Sequence, residues 1–153
     1  MNIAAVVAGL ETALKAITWT SPDGSGTTQL KNVFTYQNWG YDGGSPFACI
    51  DDDPGAGKSL DTRSFEMNTV LTISICSNWS IIEAQDDSLK RAEAKLRLRE
   101  AWDALKTEVF KISLWDSLGV AWAFDPAFKN IEMPEFNVYR RDIILTLKED
   151  IRR

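Results

Sequence analysis

The sequence predicts an α+β fold in which two α-helices pack mainly on one face of an antiparallel β-sheet. The first observation is the stretch Phe65 to Cys76, where apolar odd positions alternate with mostly polar even positions. This period of two is typical of a strand with one wet face. The second observation is that two segments, 2–17 and 89–110, carry apolar stripes at helical spacing. A strand buried on one face favours an antiparallel sheet whose other face meets water or a partner chain.

The first third of the chain predicts a helix followed by short strands. The helix stripe recurs at three- and four-residue intervals and consists of Ile3, Val6, Val7, Leu10, Leu14 and Ile17. The turn residues 21–26 end this helix in a flexible connection. Aromatic and branched residues predict extended structure within Leu30–Trp39, and Pro46–Ile50 reads as a second short strand.

The rest of the chain predicts a loop, the long strand, a second helix and two more strands. Residues 51–63 form a polar, glycine-bearing stretch, which predicts a loop before the long strand. Asp86–Ser88 is a good helix start, and the helix is expected from about Leu89 to Phe110, with mixed charges that are typical of a solvated face. Strands are predicted around Val120–Phe124, where Asp125 and Pro126 would stop the first, and over Pro134–Lys148.

Length and composition limit the classes of protein to consider. The 153 residues, 44% of them hydrophobic, fit one domain spanning 1–153. A net charge of −5 disfavours a general binder of nucleic acid or anionic membranes. Apolar runs are far shorter than the roughly 20 residues that span a bilayer, and the N-terminus lacks a basic signal-peptide start, so synthesis in a cytoplasm is expected. Cys49 and Cys76 are expected to be reduced core residues.

The chain contains no histidine, which is its most restrictive feature. This removes the commonest general base, the commonest transition-metal ligand and every Ser-His or Cys-His nucleophile. We therefore expect a protein that is not an enzyme and holds no cofactor. Chemistry based on carboxylates or lysines remains open.

Two segments invite a chemical interpretation that their context disfavours. Gly55–Ser59 resembles the end of a phosphate-binding loop, but Asp52 stands where that motif needs glycine, and a strand follows where a helix should open. Asp51–Asp53 offers oxygen ligands for a hard cation, yet adjacent carboxylates in an extended chain point to opposite faces. A solvated acidic turn is the expected state. Two of three further acids could form a carboxylate pair for glycoside cleavage. We expect instead that they are isolated surface acids: Glu66, Glu132 and Glu135.

Aromatic and basic residues at strand ends suggest an interface. Trp39 and Trp79 adjoin polar turns, where such a residue is either part of an interface or partly buried core, and both alternatives stay open. Arg140 and Arg141 put one positive charge on each face of the last strand, so at least one must meet a carboxylate or a neighbouring chain. The candidate interface residues are Trp39, Tyr41, Asp53, Lys58, Arg63, Glu66, Asn68, Thr72, Trp79, Arg140 and Arg141.

The order of elements, with several local phrases, resembles a known family. An N-terminal helix leads to V-F-T-Y (33–36) and P-F-A-C-I (46–50), and D-T-R-S-F (61–65) enters the long strand. One long charged helix follows, and the final strand pair ends in I-I-L-T-L (143–147). This order is similar to that of the tail terminator, or tail completion, proteins of long-tailed bacteriophages, the lambda-like group among them. The resemblance spans most of the chain and depends on element order.

The resemblance implies a non-enzymatic ring, typically a homohexamer, at the head-proximal end of the virion tail. Such a ring stops polymerisation of the tail tube protein and offers its other face to a head-connector or stopper protein. DNA would pass through its lumen without specific binding, which suits an acidic chain. The alternatives are another head–tail joining protein, such as a stopper or neck adaptor, and a carboxylate-based enzyme or small-ligand binder with its site under the 39–63 loops.

Overall fold

The computed structural model describes residues 2–21, 24, 26–59, 64–120 and 123–152, with the side chains at 54–59, 64–65, 123–125 and 150–152 not described. The chain is an α+β protein, as predicted. Its elements are, in order, α1 (Ile3–Ala16), β1 (Thr18–Thr20), β2 (Thr27–Gln29), β3 (Val33–Phe34), β4 (Phe47–Ser59), β5 (Ser64–Asn78), α2 (Asp87–Val109), α3 (Ile112–Ser117), β6 (Ala123–Met133), a 3-10 helix (Pro134–Phe136) and β7 (Val138–Arg152).

The main sheet has five strands in the order β3-β4-β5-β7-β6. Each of the pairs β4–β5, β5–β7 and β7–β6 is antiparallel. Only the two residues of β3 run parallel to β4, so the sheet is mixed rather than wholly antiparallel. A separate antiparallel hairpin, β1–β2, stands where a flexible connection was expected, and Ser21 N–H donates to Gly26 O across it at 3.0 Å.

The strand predicted over Phe65–Cys76 is confirmed as β5, which pairs with β7 along its full 15 residues. Leu71, Ile73 and Ile75 of β5 are fully buried. They join one apolar cluster with the buried stripes of both long helices, so α1 and α2 cover the same face of the sheet, as predicted. We call this side the helix face.

The two long helices, α1 and α2, each begin with a side-chain N-cap. Asn2 Oδ1 accepts the N–H of Ala5 at 3.2 Å, and Asp86 Oδ1 accepts the N–H of Leu89 at 2.8 Å, which supplies partners for otherwise orphaned helix N–H groups. Among the described residues, no helix combines the length and the hydropathy needed to cross a bilayer.

The short helix α3 was not predicted, because its aromatic-rich sequence has no clean period. Trp115 is buried within α3, and its Nε1 donates to the carbonyl of Val109 at 2.7 Å, which ties α3 to the end of α2. Gly9 of α1 lies close to α3, since a Cβ at that position would meet the end of the Leu118 side chain and displace it.

Several predicted boundaries are wrong. The strand expected within Leu30–Trp39 is confined to Val33–Phe34. The loop expected at 51–63 is strand as far as Ser59, and 60–63 lie outside the described residues. Asp125 and Pro126 do not stop β6, because a register shift between Phe124 and Ala127 accommodates them. Pro134 opens a 3-10 turn, and β7 starts after Asn137, whose φ of 56° reverses the chain.

Candidate interaction surface

The face of the sheet opposite α1 and α2 is the candidate surface, and we call it the outer face. Its members follow from the alternation of side chains along β5 and from the residues paired with them. They include Cys49, Asp51 and Asp53 of β4, Glu66, Asn68, Thr72, Ser74 and Cys76 of β5, Lys129 and Ile131 of β6, and Arg140 and Asp142 of β7.

One end of the outer face is covered by an aromatic cap formed by Phe34, Trp39 and Tyr41. These three side chains pack on a buried cluster that contains Phe47, Cys49, Cys76 and Val138. The ring of Tyr41 lies 4.9 Å from that of Phe34 and 5.1 Å from that of Phe47, centroid to centroid, in edge-on arrangements. The even positions of β5 were expected to be wet. Ser74 is buried instead, and Cys76 is buried, as expected of a core residue, in the cluster on which the cap packs.

A buried ion pair lies beneath the cap. The Arg140 guanidinium stacks on the ring of Trp39 at 4.5 Å, and its Nε lies 3.1 Å from Asp142 Oδ1. The two side chains are only 16% and 5% exposed. Neither of these two atoms makes an aligned hydrogen bond with the described residues, so their attraction is chiefly between charges at low effective dielectric. The prediction that at least one of the two adjacent arginines meets a carboxylate is confirmed.

The two cysteines are free and buried, as expected, and lie at diagonal positions of β4 and β5 below the same cap. A hydrogen bond from the Cys76 side chain lowers the pKa of Cys49, and the positive charge of Arg140 acts in the same direction. Burial raises the pKa of the Cys76 thiol well above its usual value. Cys49 is therefore the more acidic thiol, while the cap shields both from solution.

Two of the predicted interface residues lie on the helix face. Trp79 is buried, with its ring 4.7 Å from Tyr139 and 4.4 Å from the Arg91 guanidinium, so the core alternative holds. Trp79, one of the candidate interface residues, is therefore not at the surface. Arg141 stacks on Trp102 at 4.8 Å and donates through Nε to Asn130 Oδ1 at 2.6 Å.

The remaining predicted residues divide between the two ends of the outer face. Trp39 and Tyr41 belong to the aromatic cap, as already described. Beyond the cap, Glu66, Asn68 and Thr72 are half-buried on β5, and Asp53 is exposed on β4. Lys58 pairs with Glu66 through the strand backbone, but its side chain and all of Arg63 lie outside the described residues.

The acidic residues considered for chemistry do not converge. Glu66 lies near one end of β5, and Glu135 adjoins the start of β7 at the other end, roughly 40 Å away at the rise of an extended chain. Glu132 pairs with Arg91 at 3.0 Å on the helix face. In the described part of the chain, no three acidic or cysteine side chains group as metal ligands. Residues 55–59 are strand, not a turn that opens a helix.

Both margins of the sheet are open. In the described part of the chain, β6 pairs with β7 alone, and the outer edge of β4 meets β3 only at Ala48 and Cys49. Such edges present unpaired N–H and C=O groups that can accept a strand from another chain. The sequence did not reveal this property, because edge position depends on strand order. The sequence also did not predict the length of β6, which continues through Asp125 and Pro126 instead of ending before them.

An exposed apolar patch adjoins the β6 margin on the helix face. Phe128 of β6 is 53% exposed, Phe110 at the end of α2 is 43% exposed, and Ile112 of α3 is 78% exposed. The ring of Phe128 lies 5.6 Å from that of Trp102 and 6.1 Å from that of Phe110. The β6 margin therefore combines open backbone groups with apolar side chains.

A scan against protein-family models matches none of them, and a search among curated proteins finds no similar sequence.

Proposed function

We propose that the chain is a structural virion protein, a phage tail terminator that forms a ring at the head-proximal end of the tail tube. The ring ends tube polymerisation and provides the joint to the head connector. The observation that carries the proposal is the sheet with an open edge at each margin, β4 on one side and β6 on the other. A unit with two different free edges joins its neighbours head to tail, and such contacts close into a ring when the rotation permits.

The order of elements supports the same proposal. A first helix, the strands β4 and β5, a long charged helix and a final strand pair follow in the order on which the resemblance depends, with β4 continuing through most of the stretch expected to be an acidic loop. The resemblance does not cover the stretches 20–28 and 115–128, which overlap in part with the β1–β2 hairpin and with α3.

The outer face supplies a suitable lumen surface. Away from the aromatic cap, its described residues include three acids that are half-buried or exposed and two lysines, so that acids are in the majority: Asp51, Asp53, Glu66, Lys129 and Lys148. Negative charge repels the phosphate backbone of DNA, so a lumen lined in this way lets DNA pass without holding it. The helices would then lie on the outside of the ring.

The test adds the purified protein to tail tubes assembled from tube protein alone. We expect negative-stain images to show a ring at one end of each tube and tube growth to stop once the ring is bound. Binding along the tube sides, or tubes that keep growing, would contradict the proposal. A strict monomer that fails to bind tubes at high concentration would contradict it as well.

The nearest alternative is a stopper or neck adaptor protein, which would share the ring and the open edges. The two are separated by position. A terminator labels the ends of headless tails, whereas a neck protein labels the portal vertex of tailless heads. Gold-labelled antibody applied to both kinds of particle distinguishes them.

A further inference from the structure

The two open margins of the sheet differ in charge. The free part of the β4 edge begins with Ile50, followed by three consecutive aspartates, 51–53, of which 51 and 53 point to the outer face. On β6, Lys129 is exposed and also points to the outer face, because it lies opposite Asp142 in the register. Lys129 forms no ion pair with any side chain that the structure describes.

The strand directions make the two margins compatible. Three successive antiparallel pairings separate β4 from β6, so these two strands run in opposite directions. A second copy placed beside the first in the same orientation therefore brings its β6 against β4 in antiparallel fashion. The antiparallel hydrogen-bond ladder of the first copy would then continue into the sheet of the second copy.

We propose that copies of this chain join by antiparallel pairing of the β6 edge of one copy with the β4 edge of the next, with Lys129 facing Asp51 or Asp53 across the joint. The inference rests on the proposed function only for the closure of the ring, since the edge pairing itself is a property of the sheet.

Charge also disfavours the competing pairings. Two β4 edges would bring aspartates against aspartates, and two β6 edges would bring Lys129 against its own copy, both of which are destabilising across a strand pair. The mixed pairing instead sets Lys129 against the aspartates of β4. The joint is therefore directional, and each added copy leaves one free edge of each kind.

Bulges limit the length of the joint. A register irregularity lies between Pro54 and Gly57 on β4, and another lies between Phe124 and Ala127 on β6. The regular free stretches are therefore 50–54 and 127–133. Such short edges protect against uncontrolled aggregation. Phe128 and the neighbouring exposed Phe110 and Ile112 add apolar surface on the helix-face side of the joint.

The first experiment is a disulfide crosslink between Asp51→Cys and Lys129→Cys in one chain. Within one copy, β5 and β7 separate these positions by roughly 14 Å, which is beyond the reach of a disulfide. We expect mild oxidation to produce a ladder of covalent oligomers, linked through these two positions by peptide mass mapping and removed by reductant. Asp53→Cys with Lys129→Cys tests the register shifted by two residues.

The matched control pairs Lys129→Cys with Asp52→Cys, which lies on the helix face and should not crosslink. A ladder from the Asp52 pair equal to that from the other two pairs would overturn the proposal. The absence of a ladder from both outer-face pairs at the highest soluble concentration would also overturn it.

The second experiment reverses charge. Lys129→Glu, or Asp51→Lys with Asp53→Lys, should each weaken self-association at least tenfold in sedimentation velocity, with unchanged circular dichroism. An equimolar mixture of the two variants should restore self-association, because each joint between one variant and the other again brings opposite charges together. Lys15→Glu, at an exposed position of α1, is the control and should have no effect. Unchanged association of both variants would overturn the edge pairing.

These outcomes separate the joint from the proposed function. Rings that cap tail tubes without outer-face crosslinks would refute the joint and leave the tail terminator standing. Ladders and charge rescue in a protein that never caps tubes would support the joint and refute the tail terminator.

Discussion

The two faces of the sheet are covered in different ways. On the helix face, α1, α2 and α3 contribute to one continuous apolar cluster with fully buried β-strand side chains. On the outer face, the described residues that cover the sheet are chiefly the aromatic cap of Phe34, Trp39 and Tyr41, and charged groups lie beneath and beside it. Burial of apolar area is the main source of folding free energy. Stability therefore depends chiefly on the helix face, which leaves the outer face free to carry contacts.

The largest effect is expected from Ile73→Ala, at the centre of the helix face. The side chain is fully buried, so truncation should lower the free energy of unfolding by about 4 kcal/mol, through lost transfer energy and a residual cavity. Its neighbour Thr72, on the outer face, is the control, and Thr72→Ala should cost about 0.5 kcal/mol. Urea denaturation measures both. If both variants lost the same free energy of unfolding, the two faces would contribute equally to stability.

Asp142→Ala tests the charged part of the outer face. Removing this carboxylate leaves Arg140 largely buried and without its partner, which should cost about 3 kcal/mol. The control replaces both partners, Arg140→Met with Asp142→Leu, and should be nearly neutral because no uncompensated charge remains. Both are measured by urea denaturation. A neutral Asp142→Ala would show that the pair contributes nothing to folding.

Trp39→Ala tests the cap itself. The half-buried ring covers the Arg140 guanidinium, and its loss should cost about 2 kcal/mol, less than full burial would imply.

The same variant should open the thiols to reagents. Cys49 should react before Cys76 as pH rises, because its lower pKa yields thiolate at lower pH. Stopped-flow alkylation with peptide mapping measures the order. Trp39→Phe is the control and should keep both thiols protected. Equal reactivity in that control would show that the ring does not shield the cysteines.

The smallest effect on folding is expected from Glu66→Lys, beyond the cap. The half-buried side chain lies on the outer face, so the free energy of unfolding should change by about 0.5 kcal/mol or less. Tube capping and DNA passage should suffer more than folding, because the variant places a positive charge on the proposed lumen surface. Thermal unfolding and infectivity of reconstituted particles measure the two effects. Loss of folding first would mean that the roles of the two faces are reversed.

The sequence predicted those elements of the fold that depend on interactions between residues close together in the chain. The strand at Phe65–Cys76 and the helix α2 were both predicted, because hydrophobic periodicity and helix capping depend on residues that are near one another in sequence. The acidic, glycine-bearing stretch after Ile50 was misread as a loop. Its strand conformation comes from pairing with β5, a tertiary effect that overrides weak local propensity.

The candidate site was predictable only in part. The period of two placed Arg140 and Arg141 on opposite faces, and the structure agrees. The aromatic cap could not be derived, because Trp39 reaches Arg140 through a loop whose path follows no period. Trp79 was ambiguous for the same reason, since an aromatic beside a turn has no sequence signal for the face it will occupy.

The unbroken pairing of β5 with β7 has a mechanical consequence. These two central strands share 15 paired residues, whereas the irregularities lie on the marginal strands β4 and β6. A pull along the central pair loads its ladder in shear, so that all its hydrogen bonds resist at once. A pull on a margin peels the bonds one after another and yields at lower force. Each subunit is thus mechanically stiff along β5 and β7 and more compliant at β4 and β6, where it would meet its neighbours.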